Sequence, residues 1–76
     1  MTLALACLLA VVEHRRSMDV MKALRSMPEV KDVFMVFGQY DIVVFLEADD
    51  YAELTAVSAE INGICGIRKT ETLVAG

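Results

Sequence analysis

Two segments of the chain alternate with the two-residue period of a β-strand and are apolar on both sides. In Leu3 to Val12 the odd-numbered side chains are bulky, while the even-numbered ones are smaller and rich in alanine. In Asp41 to Ala48 the side of Ile42 and the side of Val43 are both apolar. A strand with apolar residues on both faces is typical of the middle of a sheet. Leucine and alanine also favour helices, but the short length and the alternation predict two central strands.

Two further segments are predicted to be strands of a different kind. Val30 to Phe37 is rich in β-branched and aromatic residues, as strands are. The Gly38 that follows is free to take a positive φ and to begin a turn. Ile67 to Val74 also alternates, but it is polar, with Arg68, Thr70 and Thr72 on one face and Lys69 and Glu71 on the other. This polar strand is predicted to lie at an edge of the sheet.

Segments with the period of an amphipathic helix separate these strands. The first is predicted to begin at Ser17, whose side chain would accept from free backbone N–H groups, and to end before Pro28. The second is predicted to begin at Asp50, which forms a capping box with Glu53, and to close at Asn62-Gly63. The two apolar stripes are Val20, Met21, Leu24 and Met27, and Leu54, Val57, Ile61 and Ile64.

The order strand, helix, strand, strand, helix, strand predicts one α+β domain over residues 1–76 with a ferredoxin-like βαββαβ fold. Right-handed crossovers give a four-stranded antiparallel sheet of order 4-1-3-2. This order places the doubly apolar strands in the centre and the polar fourth strand at an edge. Two helices cover only one face of such a sheet. The other face is therefore predicted to pack on a second sheet, which forms a dimeric α+β barrel.

The composition strengthens the expectation of a partner subunit. Of 76 residues, 57% are hydrophobic, and the mean hydropathy is +0.53. A domain of this size buries only about 60% of the surface that its unfolded chain exposes, so it has too little interior for this apolar surface. The longest apolar run is about half of the ~20 residues that span a membrane, and the polar residues Glu13 to Arg16 follow it. A subunit interface is therefore favoured over a membrane segment or a signal peptide.

Charge and cysteine content exclude several classes of site. The net charge is −4, with 11 acidic and 7 basic residues, and nucleic-acid binding usually needs a basic patch. We therefore expect no direct binding of nucleic acid. Cys7 and Cys65 form no CxxC motif that would indicate zinc or redox chemistry. Cys7 is interpreted as a small buried hydrophobic residue and Cys65 as more exposed, which fits a reducing cytoplasm.

Few residues suggest catalysis. His14 is the only histidine, and we interpret it as a solvated loop residue because no nucleophile or second metal ligand accompanies it. No catalytic residue, metal or cofactor is predicted. Asp41 at the head of an apolar strand has two interpretations. It is either a turn residue that accepts hydrogen bonds from backbone N–H groups or a carboxylate that binds a cationic group of a ligand. The hydroxyls of Thr70 and Thr72 could serve the same ligand.

These motifs resemble a known family. The segment Val30 to Leu46, with its Pro-Glu-Val start and its Gly-Gln-Tyr-Asp turn, is similar to the effector-binding (RAM) domain of Lrp/AsnC transcriptional regulators. The segment Gly66 to Thr72 matches that family's closing G-V-x-x-T-x-T pattern, with Ile in place of Val. The resemblance covers essentially the whole chain.

The resemblance implies a fold that dimerises through its sheets, often assembles into rings and binds amino acids between subunits. It assigns backbone groups of Gly38 and Tyr40 to the ligand, Asp41 to the ligand ammonium, and Thr70 and Thr72 to the pocket wall. The family usually has a DNA-binding helix-turn-helix before this domain, whereas here Met1 leads directly into the first strand. Phe37 also stands where a small hydroxyl residue commonly precedes the glycine.

We therefore expect an amino-acid-binding, oligomerising regulatory module of the Lrp/AsnC type, without its own DNA-binding domain and without enzymatic activity. Its expected partners are a small-molecule effector, further copies of the chain and full-length Lrp/AsnC relatives. Two alternatives stay open. A small dimeric α+β-barrel enzyme would need His14 or Tyr40 to face an apolar cavity. A ligand-free assembly module would have side chains filling the region around Asp41 and Thr72.

Overall fold

Four strands and two helices follow one another in the computed structural model, which describes residues 3–75. The elements are β1 (Ala4–Val12), α1 (Ser17–Arg25), β2 (Val30–Met35), β3 (Ile42–Ala48), α2 (Tyr51–Asn62) and β4 (Ile67–Val74), with a short 3-10 helix (His14–Arg16) before α1. The predicted order of elements is confirmed. The second and third strands are shorter than predicted, because the connection between β2 and β3 takes in Phe37 and Asp41.

The four strands form one antiparallel sheet of order β2-β3-β1-β4. This is the predicted order 4-1-3-2 and confirms the ferredoxin-like arrangement. β1 pairs on both sides, so that Leu8 lies opposite Val44 of β3 and Thr72 of β4. The two strands with apolar residues on both faces are therefore the central ones, and the polar β4 lies at an edge.

The core lies between the sheet and the two helices. The alanine-rich side of β1 faces the helices together with Ile42, Val44 and Leu46 of β3. The helices contribute Leu24, Leu54 and Ile61, which are fully or almost fully buried. The sequence left open which side of β1 would turn towards the helices. The structure places the smaller side chains there and the bulky ones on the opposite face.

The two helices begin differently. The predicted capping role of Ser17 is wrong: Ser17 is the first residue of α1, and its Oγ donates to the carbonyl of His14 at 2.8 Å. The preceding 3-10 turn places Arg16 at the cap position instead, without a side-chain bond. The predicted cap of α2 is confirmed, because Asp50 Oδ1 accepts from Glu53 N at 2.8 Å.

Cys7 was predicted to be buried, and this prediction is wrong for the single chain. Cys7 belongs to the bulky side of β1 and is half-buried on the sheet face away from the helices. Its neighbours there are Phe45 on β3 and Leu73 on β4. Cys65 is exposed, as predicted, and both thiols are free.

Gly66 lies in the connection between α2 and β4 and packs closely against the start of α1. Its carbonyl accepts from Glu13 N at 2.7 Å, and its φ is +106°. A Cβ atom at this position would lie 2.8 Å from Arg16 Cβ and 3.0 Å from Val20 Cγ2. A side chain here would therefore meet both an unfavourable backbone conformation and a steric clash.

We expect Gly66→Ala to lower the free energy of unfolding by roughly 1–3 kcal/mol. Gly63→Ala is the matched control, because Gly63 has a φ of −88° and its nearest Cβ contact would be at an ordinary 3.5 Å. Urea unfolding at equal protein concentration compares the two variants. Equal midpoints for both would contradict the role of Gly66.

Asp50→Ala is expected to lower the free energy of unfolding by about 1 kcal/mol, because one N–H group of the first turn of α2 loses its acceptor. The neighbouring Asp49→Ala removes the same charge without removing the cap and should have less than half of this effect. Thermal unfolding measures both. An Asp49 effect as large as that of Asp50 would assign the stabilisation to charge alone.

Candidate functional site

Hydrogen bonds of Asp41 hold the β2–β3 connection against the end of β1. Asp41 N donates to the carbonyl of Ala10, and the Asp41 carbonyl accepts from Val36 N. Asp41 Oδ2 accepts from Val12 N at 2.9 Å. The pairing of β1 with β3 ends at Ala10, so this carboxylate supplies an acceptor to a strand N–H that lies beyond the last ladder pair.

Asp41 therefore has the hydrogen bonds of a turn aspartate, which was one of its two interpretations. They occupy only one of its carboxylate oxygens. Within residues 3–75, Oδ1 has no hydrogen-bond partner and the carboxylate forms no ion pair. The side chain is half-buried. One oxygen of a fixed, ionisable group thus stays available beside the β2–β3 connection.

Tyr40 reaches across the sheet face that the helices leave uncovered. Its hydroxyl donates to Glu71 Oε1 on β4 at 2.9 Å, and Lys69 Nζ lies 5.9 Å from the centroid of its ring. The hydrogen bond to Glu71 raises the pKa of Tyr40, and slight desolvation and the negative charge of Glu71 act in the same direction. The phenol therefore stays protonated near neutral pH and acts as a donor.

Thr70 and Thr72 lie on the opposite face of the sheet. They stand opposite Ala10 and Leu8 in the ladder, so their side chains point towards the helix layer. Thr70 Oγ1 donates to Asn62 Oδ1 at the end of α2. Thr72 lines a recess of about 200 Å³ between α2 and β4.

The five predicted ligand-binding residues thus fall into two groups within one chain. Gly38, Tyr40 and Asp41 belong to the β2–β3 connection, where Gly38 has a φ of +140° and open space around its Cα. Thr70 and Thr72 lie across β1 and on the other face. The two groups therefore lie on different faces of the sheet within one chain.

Sequence reasoning missed the partners of these residues. Glu71, which accepts from Tyr40, is 31 positions away, and Asn62, which accepts from Thr70, was interpreted only as a helix-terminating residue. Alternation along β4 did separate the Glu71 face from the threonine face. It carried no information about which residue each face meets.

The sheet face away from the helices, which we call the open face, is largely apolar. Leu5, Phe45 and Leu73 are 47%, 44% and 52% exposed and surround a shallow concavity of about 430 Å³. Phe34 and Phe45 meet edge to face with their ring centroids 6.0 Å apart. Exposed apolar patches of this kind usually mark an interaction surface.

The enzyme interpretation depends mainly on His14 facing an apolar cavity, and the structure does not place it in one. His14 lies on the short 3-10 helix and is exposed, and the hydroxyl of Tyr40 is engaged with Glu71. Among residues 3–75, no three His, Cys, Asp or Glu side chains lie close enough to hold a metal ion together. In the same range, no helix has the length and apolar character needed to cross a membrane.

The comparisons with known proteins agree with this architecture. Residues 6–75 match the family model described as the Lrp/AsnC ligand binding domain. The crystal structure of TTHA0845 from Thermus thermophilus is 31% identical, with 96% of this chain and 92% of that one covered and a TM-score of 0.90. That of FFRP-DM1 is 32% identical, with 96% and 99% covered and a TM-score of 0.90.

A more distant structure shares the fold. The transcriptional regulator NMB0573 from Neisseria meningitidis, crystallised as a complex with L-Met, is 16% identical, with a TM-score of 0.86. The alignment covers 96% of this chain and 49% of that regulator. No curated protein matches the chain. Because the family match takes in almost the whole chain, it confirms the resemblance found in the sequence, and this chain belongs to the Lrp/AsnC ligand-binding domain family.

Proposed function

We propose that this chain is an amino-acid-binding regulatory module that assembles through its sheet and holds its effector between subunits. The observation that carries the proposal is Asp41 Oδ1, which has no hydrogen-bond partner within residues 3–75 and lies in the Gly-Gln-Tyr-Asp turn of a chain that belongs to a ligand-binding domain family. A fixed carboxylate with one unused oxygen suits the ammonium group of an amino acid. The L-Met bound to NMB0573 is an amino-acid ligand on the same fold.

The open face supports assembly. Its leucine, valine and phenylalanine side chains come from all four strands, and no element of residues 3–75 covers them. A second copy packed face to face, about 10 Å away, would remove this surface from water. Charged side chains lie at the two ends of the face: Lys31 and Glu47 form an ion pair at one end, and Lys69 and Glu71 flank Tyr40 at the other. The apolar centre with a polar rim is typical of a subunit interface.

The ligand pocket is proposed to take its two halves from different subunits. One subunit contributes Gly38, Tyr40 and Asp41, and another contributes Thr70 and Thr72. Their separation by β1 within one chain supports this arrangement. Effector binding then stabilises contacts between subunits, because a ligand that bridges two chains favours the assembled state.

The same module is proposed to act in the cytoplasm and without a cofactor, and to affect transcription through association with full-length Lrp/AsnC relatives instead of contacting DNA itself. The acidic balance of the chain, 11 carboxylates against 7 basic residues, supports the absence of direct DNA contact.

We expect at least one of the twenty amino acids to raise the melting temperature of the wild-type protein and Asp41→Asn to abolish that shift. Asparagine keeps an acceptor for Val12 N, so the variant removes the charge without removing the hydrogen bond that fastens the turn. A thermal-shift screen with all amino acids measures the effect. Asp19→Asn on the exposed surface of α1 is the control for loss of one charge and should keep the shift.

A screen in which no amino acid raises the wild-type melting temperature contradicts the proposed effector and favours the ligand-free assembly module. A shift that persists in Asp41→Asn contradicts the assignment of Asp41 to the ligand ammonium. Circular dichroism of Asp41→Asn without ligand verifies that the variant is folded.

We expect the wild-type protein to have at least twice the 8.4 kDa mass of one chain at micromolar concentration, and Phe45→Asp to disrupt this assembly. The new charge would be desolvated in the centre of the open face. Size-exclusion chromatography with light scattering measures the mass. Met18→Asp is the control, because Met18 is 72% exposed on α1 and lies on the helix side; a folded wild-type monomer would contradict the proposed interface.

A further inference from the structure

The outer edge of β4 has backbone groups without partners within residues 3–75. Among the described strands, β4 pairs only with β1. Ala75 N donates to the Leu5 carbonyl, and backbone groups alternate between the two sides of an antiparallel strand. The N–H and C=O groups of Thr70, Thr72 and Val74 are therefore directed away from β1. No backbone hydrogen bond outside the ladders of the described residues uses them.

The two edges of the sheet differ in their regularity. At the β2 edge the register shifts between Val30 and Asp32, and a bulge of this kind protects an edge against pairing with a further strand. β4 is regular from Lys69 to Val74. Lysine on an edge strand usually protects it as well. Whether the β4 edge can pair therefore depends on what its charged side chains would meet.

The charges of β4 complement a second copy of the same strand. In an antiparallel pair centred on Thr70, Lys69 lies opposite the partner's Glu71, and Glu71 lies opposite the partner's Lys69. A register shift of two residues would place Lys69 opposite its own copy or Glu71 opposite its own copy, and like charges directly opposite each other destabilise a pair. A shift of one residue would pair side chains that belong to different faces. The charges of β4 therefore favour one register.

The backbone geometry favours the same register. Because Thr70 directs its backbone groups outward, Thr70 and its copy would form a hydrogen-bonded pair. The Lys69–Glu71 pairs beside it would then be non-hydrogen-bonded pairs, in which side chains approach more closely. These side chains are therefore placed to form two ion pairs between the chains.

The charged groups of β4 are available for such pairs. Lys69 and Glu71 are exposed. Glu71 uses Oε1 to accept from Tyr40, and its Oε2 has no hydrogen-bond partner within residues 3–75. On the other side of the sheet, only uncharged side chains line the recess between α2 and β4. No like charges of this recess would therefore oppose a second chain at the edge.

We propose that the β4 edge is a second self-association surface, at which two chains pair antiparallel about Thr70 and form one continuous sheet. The two Lys69–Glu71 pairs between the chains set the register. The inference goes beyond the proposed function, because it concerns the sheet edge instead of the open face and involves no effector. A protein that uses both surfaces forms assemblies of at least four chains, since every open-face pair presents two β4 edges.

Charge inversion tests the edge contact. Lys69→Glu and Glu71→Lys each place like charges opposite one another and are expected to halve the mass that light scattering measures for the wild-type assembly. An equimolar mixture of the two variants is expected to restore the wild-type mass, because each variant supplies the charge that the other lacks. Lys22→Glu is the control: Lys22 is exposed on α1, and its inversion changes the net charge equally but should leave the mass unchanged.

Disulfide cross-linking determines the register. In a background with Cys7→Ala and Cys65→Ser, chains with Lys69→Cys are mixed with chains with Glu71→Cys. Opposite residues of a non-hydrogen-bonded pair have Cα atoms about 4.5 Å apart, which a disulfide can bridge, whereas packed sheet faces are about 10 Å apart. We expect the mixture to cross-link at least about tenfold faster than either chain alone, because identical residues lie diagonally, about 7–8 Å apart.

Single charge variants that keep the wild-type mass overturn the inference, and so does a mixture that stays at the lower mass. Cross-linking of each chain with itself as fast as with the other also overturns it, and this readout decides if circular dichroism finds the charge variants unfolded. These results leave the proposed function standing. A wild-type mass of two chains that the single variants reduce to one, and that their mixture restores, supports the edge contact and contradicts assembly through the open face.

Discussion

Strand β1 lies in the centre of the sheet and is apolar on both sides, and the other parts of the domain are arranged around it. Its small side, with Ala6, Leu8 and Ala10 buried, lets the two helices pack close to the sheet and form the core. Its bulky side, with Leu5 and Cys7, stays on the open face. A chain with two helices covers only one face, so the hydrophobic effect that folds the domain also supports the proposed association of its open faces.

The same strand separates the two halves of the candidate site. The β2–β3 connection is fastened to the end of β1 by the backbone and carboxylate of Asp41, and β4 pairs along the other side of β1. The carboxylate and the threonine hydroxyls are therefore rigidly placed but kept apart. Rigid placement on strands favours a well-defined ligand geometry, and in the proposed function the separation makes assembly a condition for a complete pocket. Sensing and oligomerisation are thereby coupled in the proposed module.

The polar groups of the site show how a single residue can serve structure and function together. Asp41 uses one oxygen for the end of β1 and leaves the other free within the described residues 3–75. Thr70 bonds Asn62 and fixes the end of α2 against β4, while the next residue on that face, Thr72, borders the recess that contains Ser58. A substitution that removes a whole side chain would change the structural hydrogen bond and the proposed ligand contact together. An isosteric change such as Asp to Asn keeps the structural hydrogen bond and removes only the charge.

The sequence alone determined the order of the elements, the central position of β1 and β3, the cap at Asp50 and the family, because each depends on periodicity or on motifs within a few residues. It also predicted Asp41, Thr70 and Thr72 as candidate residues. Only the tertiary structure decided that the alanine-rich side of β1 faces the helices, that Ser17 lies inside α1, that Tyr40 pairs with Glu71 and that Ser58 has no partner among residues 3–75. These features depend on contacts between residues distant in the chain or on the geometry of one turn. A pattern of polar and apolar positions shows which residues share a face, but it does not show which other residues pack against that face.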